Sequence, residues 1–421
     1  MNDTIIDIVA PPWFADMIRV ETYAEIDEIL RSDDFVQGSH RESGMFLGGT
    51  LLTTDGSVHA ERRKIFNALF SKSANQHYEI AALAPVMKQI MEELKVRSRA
   101  ADGLVHADLV PLIRTMLHRI TANVAGIDNA HTPERTERLR YLVERVGEGA
   151  SVEWSVRDHD EVIREALEFR QQLIEEFLQP SLDRRKALVK AFREGKIEKS
   201  ELPTDVFTLI CLHVDELPVD EETYIWREAS LFIIASTQTT THTLPHVFRH
   251  LDEWVREHPE DAGKIKDPEF LRRAAVESLR LHAPTPTLTR LAARDTTLKS
   301  SGLKVPKGER VALFFPLANR EKAIFGDDAN VFNPYRKTPE GLQPWGLSFG
   351  SGIHLCIGRS LVTGMFNRTD DRTGTEGTMV KILREFLEAG AELIPGDPPQ
   401  RGHAVSYHDH YASFPIILRN L

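Results

Sequence analysis

Apolar positions along this chain recur mostly every three to four residues, the period of an amphipathic helix. Residues 22–34 carry Ile26, Ile29 and Leu30 at that spacing, and residues 57–71 set Val58, Ile65, Phe66, Leu69 and Phe70 on one side. Two charged amphipathic helices are predicted over 158–180 and 181–195. They should meet near Gln179-Pro180-Ser181, because proline is disfavoured inside a helix and accepted in its first turn. A longer helical stretch runs from Asp220 to about Leu251. Its centre, Leu231-Phe232-Ile233-Ile234-Ala235, is apolar all round, so burial on every side is expected. Pro245 lies inside this stretch and takes the helical donor away from the carbonyl of Thr241, which predicts a kink or an early end. A further helix is predicted over 268–281.

The pattern changes late in the chain. Thr287–Leu291, Thr297–Val305 and Arg310–Phe315 read as strands, 321–348 is irregular, and His403–Leu418 reads as extended. No internal repeat is visible. Many helices with a few late strands predict a mostly α (α+β) fold, with residues 1–421 as a single domain.

Composition narrows the class. The chain has 421 residues, 41% hydrophobic and 27% charged, an ordinary globular mix. A formal net charge of −11 argues against general nucleic-acid binding, which favours a basic face. The two cysteines, Cys211 and Cys356, allow no disulfide framework or zinc-ribbon spacing and suggest a reducing compartment. Cys211 lies in the apolar run Phe207–Leu212 and reads as packing. There is no run of about 18 apolar residues to span a membrane. The first residues lack a basic segment followed by an apolar core. A soluble, cytoplasmic protein without a membrane anchor is expected, and a monomer.

Cys356 is different. It sits in Phe349-Gly350-Ser351-Gly352-Ile353-His354-Leu355-Cys356-Ile357-Gly358-Arg359. Glycines let backbone approach a flat group closely and take positive φ. A lone thiolate in such a loop can be the proximal ligand of a haem iron. The run resembles the haem-binding loop of the cytochromes P-450, Phe-Gly-x-Gly-x-His-x-Cys-x-Gly. Phe349, Gly350, Gly352, His354, Cys356 and Gly358 meet each fixed position. The resemblance implies a helix-rich fold with a small β region, haem b as cofactor and Cys356 as the metal ligand, with Phe349, Gly350 and Gly358 shaping the cofactor loop.

Other segments carry the same resemblance in the same order. Glu277 and Arg280, at i, i+3 on one helix face, match the family's Glu-x-x-Arg brace. His59 and Arg63, at i, i+4 beside Phe66 and Phe70, are cations at the edge of an apolar stripe and need anionic partners. The family places such a pair at the haem propionates; Arg290 and His354 match two further propionate ligands. Phe325–Pro334 resembles the family's meander before the haem loop, with a scaffolding role.

The oxygen-side helix, about 220–251, departs from the family. The family carries Ala-Gly-x-Asp/Glu-Thr-Thr there; this chain has Ala235-Ser236-Thr237-Gln238-Thr239-Thr240. Thr239 keeps the hydroxyl that the family uses on the oxygen side. Gln238 replaces the acid, and it can hydrogen-bond but cannot release a proton near neutral pH. Thr237 and His242 are nearby alternatives for proton delivery. A second departure comes after the cysteine: the polar, glycine-bearing stretch 367–377 interrupts the next helix, which resumes at Met379, Ile382, Leu383 and Phe386. In the family, redox partners dock near there.

By resemblance, the substrate site is lined from 38–52, the 140–205 helix pair, Ile234–Thr239, Thr285–Thr289 and a C-terminal turn at Ser406–Tyr411. His408 and His410 in that turn are too few for a structural metal site. Three functions are expected in decreasing order. The first is a monooxygenase that inserts one oxygen atom from O2 into a small to medium hydrophobic molecule. It would use electrons from a separate ferredoxin and ferredoxin reductase. The second is a haem-thiolate enzyme that uses peroxide, or isomerises or dehydrates its substrate, because Gln238 replaces the acid. The third is a non-catalytic haem-binding sensor.

Overall fold

A computed structural model describes residues 14–97, 103–219, 223–365, 374–402 and 409–421. The described chain is mostly helical with short strands, as the periodicity predicts. It divides into two compact units.

The first unit gathers residues 1–39, 89–113 and 239–421. Its main sheet orders four strands as Ile18–Val20, Arg310–Phe314, Thr287–Ala292 and Phe35–Gln37. The first pair is parallel, with Ile18 opposite Val311, and the other two pairs are antiparallel. Arg290 stands between Val311 on one side and Gln37 on the other. Tyr23, Ile26, Ile29 and Leu30, from the Tyr23–Arg31 helix, pack with Val311, Leu313, Phe315 and Leu347 in this unit's core. Thr22 starts that helix, accepting from the N–H of Glu25, and satisfies one of the donors a helix start leaves open. A second sheet places Pro415–Leu418 between Val105–Asp108 and Ala391–Leu393.

The Pro268–Leu281 helix fits its predicted span because both ends are written locally. Asp267 accepts from the N–H of Glu269, Pro268 takes the first turn, and His282 closes the end with its N–H on the carbonyl of Ser278. After Cys356, the Arg359–Thr363 helix stops at Gly364, whose φ is +78°, and a new helix runs Thr378–Glu388. The expected interruption is present, and Met365 pairs with Thr375 across it. Within the insert, residues 367–373 lie outside the described residues, as do His403–His408 of the C-terminal stretch.

The second unit gathers residues 40–88 and 114–238 and is helical. It contains Gly56–Phe66, Lys72–Tyr78, Pro133–Ala150, His159–Leu173, Gln179–Arg193 and Val206–Leu212. The predicted joint near Pro180 is not a break: a π-helical turn, Ile174–Leu178, carries the first of the paired helices straight into the second. Pro180 follows that turn, and the carbonyl of Glu176, four residues before it, accepts from Arg135 Nη2 at 3.0 Å instead.

The longest helix is Tyr224–Glu257, with Pro245 inside it. Two expectations are corrected here. The helix does not end early at Pro245; Leu244, Val247, Phe248 and Leu251 are all buried around it. Burial at about 1.5–3 kcal/mol for each such side chain outweighs a proline cost of about 3 kcal/mol. Nor is its centre buried on every side. Leu231, Phe232, Ile233 and Ile234 are buried, but Ala235 is exposed, and Gln238, Thr239 and His242 are half-buried along the same side. Among the described residues, no helix is long and apolar enough to cross a membrane.

Candidate active site

The cysteine loop is shaped by its glycines. Gly350 and Gly352 hold φ of +69° and +66°, where a side chain would strain the backbone. A Cβ on Gly352 would also strike the carbonyl of Leu30, so this position must stay bare for the loop to lie on the Tyr23–Arg31 helix. The Ser351 hydroxyl donates to Asp27 Oδ1 of that helix at 2.5 Å. The loop then returns on itself: the N–H of Cys356 donates to the carbonyl of Phe349 at 2.8 Å. The ring of Phe349 meets Trp345 edge-on, with centroids 5.4 Å apart.

Cys356 is half-buried and not in a disulfide. Leu355, Ile357, Gly358, Leu361 and Val362 around it are also half-buried, and Ile353 is 47% exposed. The other cysteine contrasts with it. Cys211 is buried, and burial pushes its thiol up to about 11, so it packs as the sequence indicates. One available thiol in a half-open apolar shell is the donor set a haem-thiolate centre requires, a single soft ligand beside a surface that a flat apolar ring can cover. The residues present therefore fit haem.

The loop is held from behind by a buried charge network. Arg280, fully buried, grips Glu277 with two parallel bonds, Nε to Oε2 at 2.8 Å and Nη2 to Oε1 at 2.7 Å. Its Nη1 donates to the carbonyls of Asn319 and Ala329. Arg336 adds a second cation to Glu277 Oε1 at 2.8 Å and also reaches the carbonyls of Phe325, Asp328 and Val331. Asn319 connects this network to the loop: its amide donates to the carbonyl of Arg280 and to Ser348 Oγ, and its oxygen accepts from the N–H of Leu347. Arg336 and Asn319 escape a reading by motif. The only signal was Arg336 two residues after Pro334, at the end of the meander segment.

The first unit also holds Arg290, His354 and Thr239. Arg290 is buried in the main sheet, and its Nη1 donates to Gln37 Oε1 at 2.7 Å and to the carbonyl of Thr289 at 3.0 Å. His354 is half-buried beside Cys356. The second unit holds His59 and Arg63, one turn apart on the Gly56–Phe66 helix; His59 is buried and Arg63 half-buried.

On the long helix the hydroxyls divide. Thr237 is buried and donates back to the carbonyl of Ile233 at 2.9 Å, so it is committed to its own helix. Ser236 lies 2.8 Å from the hydroxyl of Thr121. Thr239 and Gln238 remain half-buried on the open side, and the Gln238 amide lies against Gly147. His242 stacks on His410 with centroids 4.8 Å apart. Of the segment 45–47, Phe46 and Leu47 are buried in the second unit, and only Met45 is exposed.

Comparisons with known proteins identify the family. A family model described as Cytochrome P450 matches residues 15–365. The putative cytochrome P450 YjiB of Bacillus subtilis (strain 168) is 25% identical over 344 residues, covering 80% of this chain and 76% of that protein. A steroid C26-monooxygenase of Mycolicibacterium smegmatis is 30% identical over 176 residues, covering 40% of this chain and 39% of that protein. Several other curated relatives are matched over 28% to 38% of their length, so the chain spans well under half of them. The crystal structure of CYP109E1 from Bacillus megaterium in complex with corticosterone superposes with a TM-score of 0.68 at 18% identity, covering 99% of this chain and 95% of that one. At that identity the likeness is one of fold, and the fold is the helix-rich one of the P450s. The family match begins ahead of the first helix and runs beyond the cysteine loop, over far more than half of the sequence, and so this chain belongs to the cytochrome P450 family.

Proposed function

We propose that this protein is a haem-thiolate monooxygenase that inserts one oxygen atom from O2 into a small to medium hydrophobic substrate. The observation that carries the reading is the Phe349–Arg359 loop, which presents one half-buried cysteine, outside any disulfide, on a glycine-shaped backbone. Bound haem b would supply the oxygen and redox chemistry, with Cys356 as the ligand that pushes electron density towards O–O cleavage.

The chain's own groups have separable tasks. Cys356 holds the metal, and Phe349, Gly350 and Gly358 shape the loop around it. His59, Arg63, Arg290 and His354 offer donors for two propionates, and arginine suits carboxylates through paired, charge-assisted bonds. Thr239 supplies a hydroxyl that can pass a proton. Gln238 orients a hydrogen-bond network there without being a proton source. The electrons would come from a separate ferredoxin and its reductase, and the setting would be cytoplasmic. A hydrophobic substrate is in keeping with a relative whose name refers to a steroid.

Carbon monoxide tests the carrying observation. Reduced protein should give the red-shifted Soret band of a thiolate-ligated haem, and Cys356→Ser should lose it. An ordinary band in the wild type would overturn the reading.

One observation favours a second reading. The side chain at 238 is an amide against Gly147, where the family has an acid. A protein using peroxide, or isomerising or dehydrating its substrate, needs no such acid. Product formed with hydrogen peroxide alone would select this reading; strict dependence on O2 and reduced ferredoxin would reject it.

A further inference from the structure

Histidine recurs every fourth residue on the long helix, at 242, 246 and 250, which sets three imidazoles on one face. That face meets the end of the Pro268–Leu281 helix and the C-terminal hairpin. His242 stacks on His410; His246 stacks on His282 with centroids 3.8 Å apart; His250 lies 5.1 Å from His282 by the same measure. Asp409 enters between them. Its Oδ2 contacts Nδ1 of His282 and lies 3.8 Å from Nε2 of His246. The same Nε2 is 2.9 Å from the backbone carbonyl of Asp409.

We propose that His246, His282 and Asp409 form a binding site for one divalent transition-metal ion of the zinc class. The three residues offer two nitrogens and one carboxylate oxygen, and these atoms all lie within 4.8 Å of one another. Ligands at about 2.0–2.2 Å in a tetrahedral zinc site stand roughly 3.3 Å apart. The 3.8 Å pair is nearly there. The rings of His246 and His282 lie within 14° of parallel, so one imidazole must turn for both nitrogens to reach one ion. Both histidines are buried, and burial keeps them neutral, the form that ligates metal.

Two buried polar atoms beside the cluster stand out. In a metal-free arrangement Nε2 of His246 donates to Asp409, which leaves Nδ1 as a buried acceptor; among the described residues it has no hydrogen-bond partner. The Tyr411 hydroxyl, whose ring centroid lies 4.9 Å from that of His246, is likewise buried and without one. Arg401 already holds Asp409 from its other oxygen and lies over the Tyr411 ring, fixing the carboxylate as supporting residues do around metal ligands.

The location suggests what the ion would do. The hairpin Gln400–Arg401/Tyr411–Ser413 has two paired positions and an irregular register. Asp409 sits just before its second strand, while His246 lies in the long helix and His282 caps the end of the Pro268–Leu281 helix, all in the same unit. Ligation would fasten the hairpin to both helices. A site of this kind does not depend on the monooxygenase reading.

The test uses the full-length, haem-loaded protein stripped with a chelator and then given Zn2+. After gel filtration, one zinc per chain should remain. Absorption at the zinc edge, which haem iron does not obscure, should show nitrogen and oxygen neighbours with the outer-shell scattering of two imidazoles. Asp409→Asn and His246→Gln should each weaken zinc binding by at least about 10- to 100-fold. His213→Gln, which alters a His–Glu pair in the turn after the Val206–Leu212 helix, should leave it unchanged. No retained zinc in the wild type would overturn the proposal and leave a hydrogen-bonded cluster only. Zinc that survives both triad substitutions but is lost in His213→Gln would overturn it as surface binding. Should the triad variants not fold, the imidazole count in the wild type decides: fewer than two overturns it.

Discussion

The side-chain amide of Gln238 occupies the space that a Cβ on Gly147 would need. The long helix and the Pro133–Ala150 helix thus meet at a point where one residue must be bare for the other to lie where it does. Gly147→Ala should push the amide off this position. Because the collision is with the end of a flexible side chain, the cost should stay at about 1–3 kcal/mol, the range for overpacking. Denaturant unfolding should report that loss, together with a changed ligand-induced Soret shift. A stability loss with no spectral change would separate Gln238 from the haem environment.

Gln238→Glu asks whether the amide limits proton delivery. Glutamate has nearly the same shape and should occupy the same space, so packing is little altered. Its carboxyl can exchange a proton, and a well-placed general acid contributes about 10²–10⁴-fold. Since Thr239 and its surroundings already support some delivery in the proposed scheme, the gain should be smaller, about tenfold in product formed per electron consumed. The ratio of hydrogen peroxide released to reductant oxidised checks it.

Arg280 and Glu277 form a buried pair with a second arginine, Arg336, on the same carboxylate. Removing Glu277 would leave two buried cations uncompensated, at a cost of about 3–5 kcal/mol, whereas removing one arginine leaves the carboxylate with the other and costs less. Arg280→Leu should cost more than Arg336→Leu, because Arg280 is fully buried and makes two bonds to Glu277 where Arg336 makes one. Asn319→Ala breaks the link to Leu347 and Ser348 while sparing the ion pair. It should lower haem retention more than global stability. Urea unfolding tracked by far-ultraviolet dichroism and by the Soret band should show the two readouts diverge in Asn319→Ala alone.

Legibility from residues alone divides along a physical line. The Pro268–Leu281 helix and the cysteine loop were legible because their determinants are local: a capping aspartate, a proline in the first turn, glycines at positive φ. Glu277 and Arg280 were legible as a pair for the same reason. Their partners Asn319 and Arg336, 39 and 59 residues away from Arg280 and Glu277 respectively, were not, since nothing local marks a contact across that distance. Pro245 misled as a signal for an early end, because its effect is local while the burial that overrides it is tertiary. Ala235 misled because a continuous apolar run does not say which side stays open. The histidines at 242, 246 and 250 carried a visible period, but Asp409 and His282, which give that period a meaning, come from remote segments.

Glu228 is fully buried on the long helix, and its carboxylate accepts from the N–H of Leu51. Burial, the dominant cause, pushes it up from the usual 4.5 to about 7; the Leu51 N–H bond pulls the other way. The folded state therefore holds this proton over a range where the unfolded chain has released it. Stability from this group is fully present below about 4.5 and is lost as pH rises to about 7. At 1.36 kcal/mol per pH unit the loss is roughly 3 kcal/mol. Glu228→Gln keeps an acceptor for Leu51 and cannot ionise. Denaturant midpoints measured at intervals from about pH 5 to 8 should fall for the wild type relative to the variant. The two curves should converge at the acid end and stay a constant distance apart above about pH 7. Parallel curves throughout would mean that Glu228 titrates normally in the folded protein.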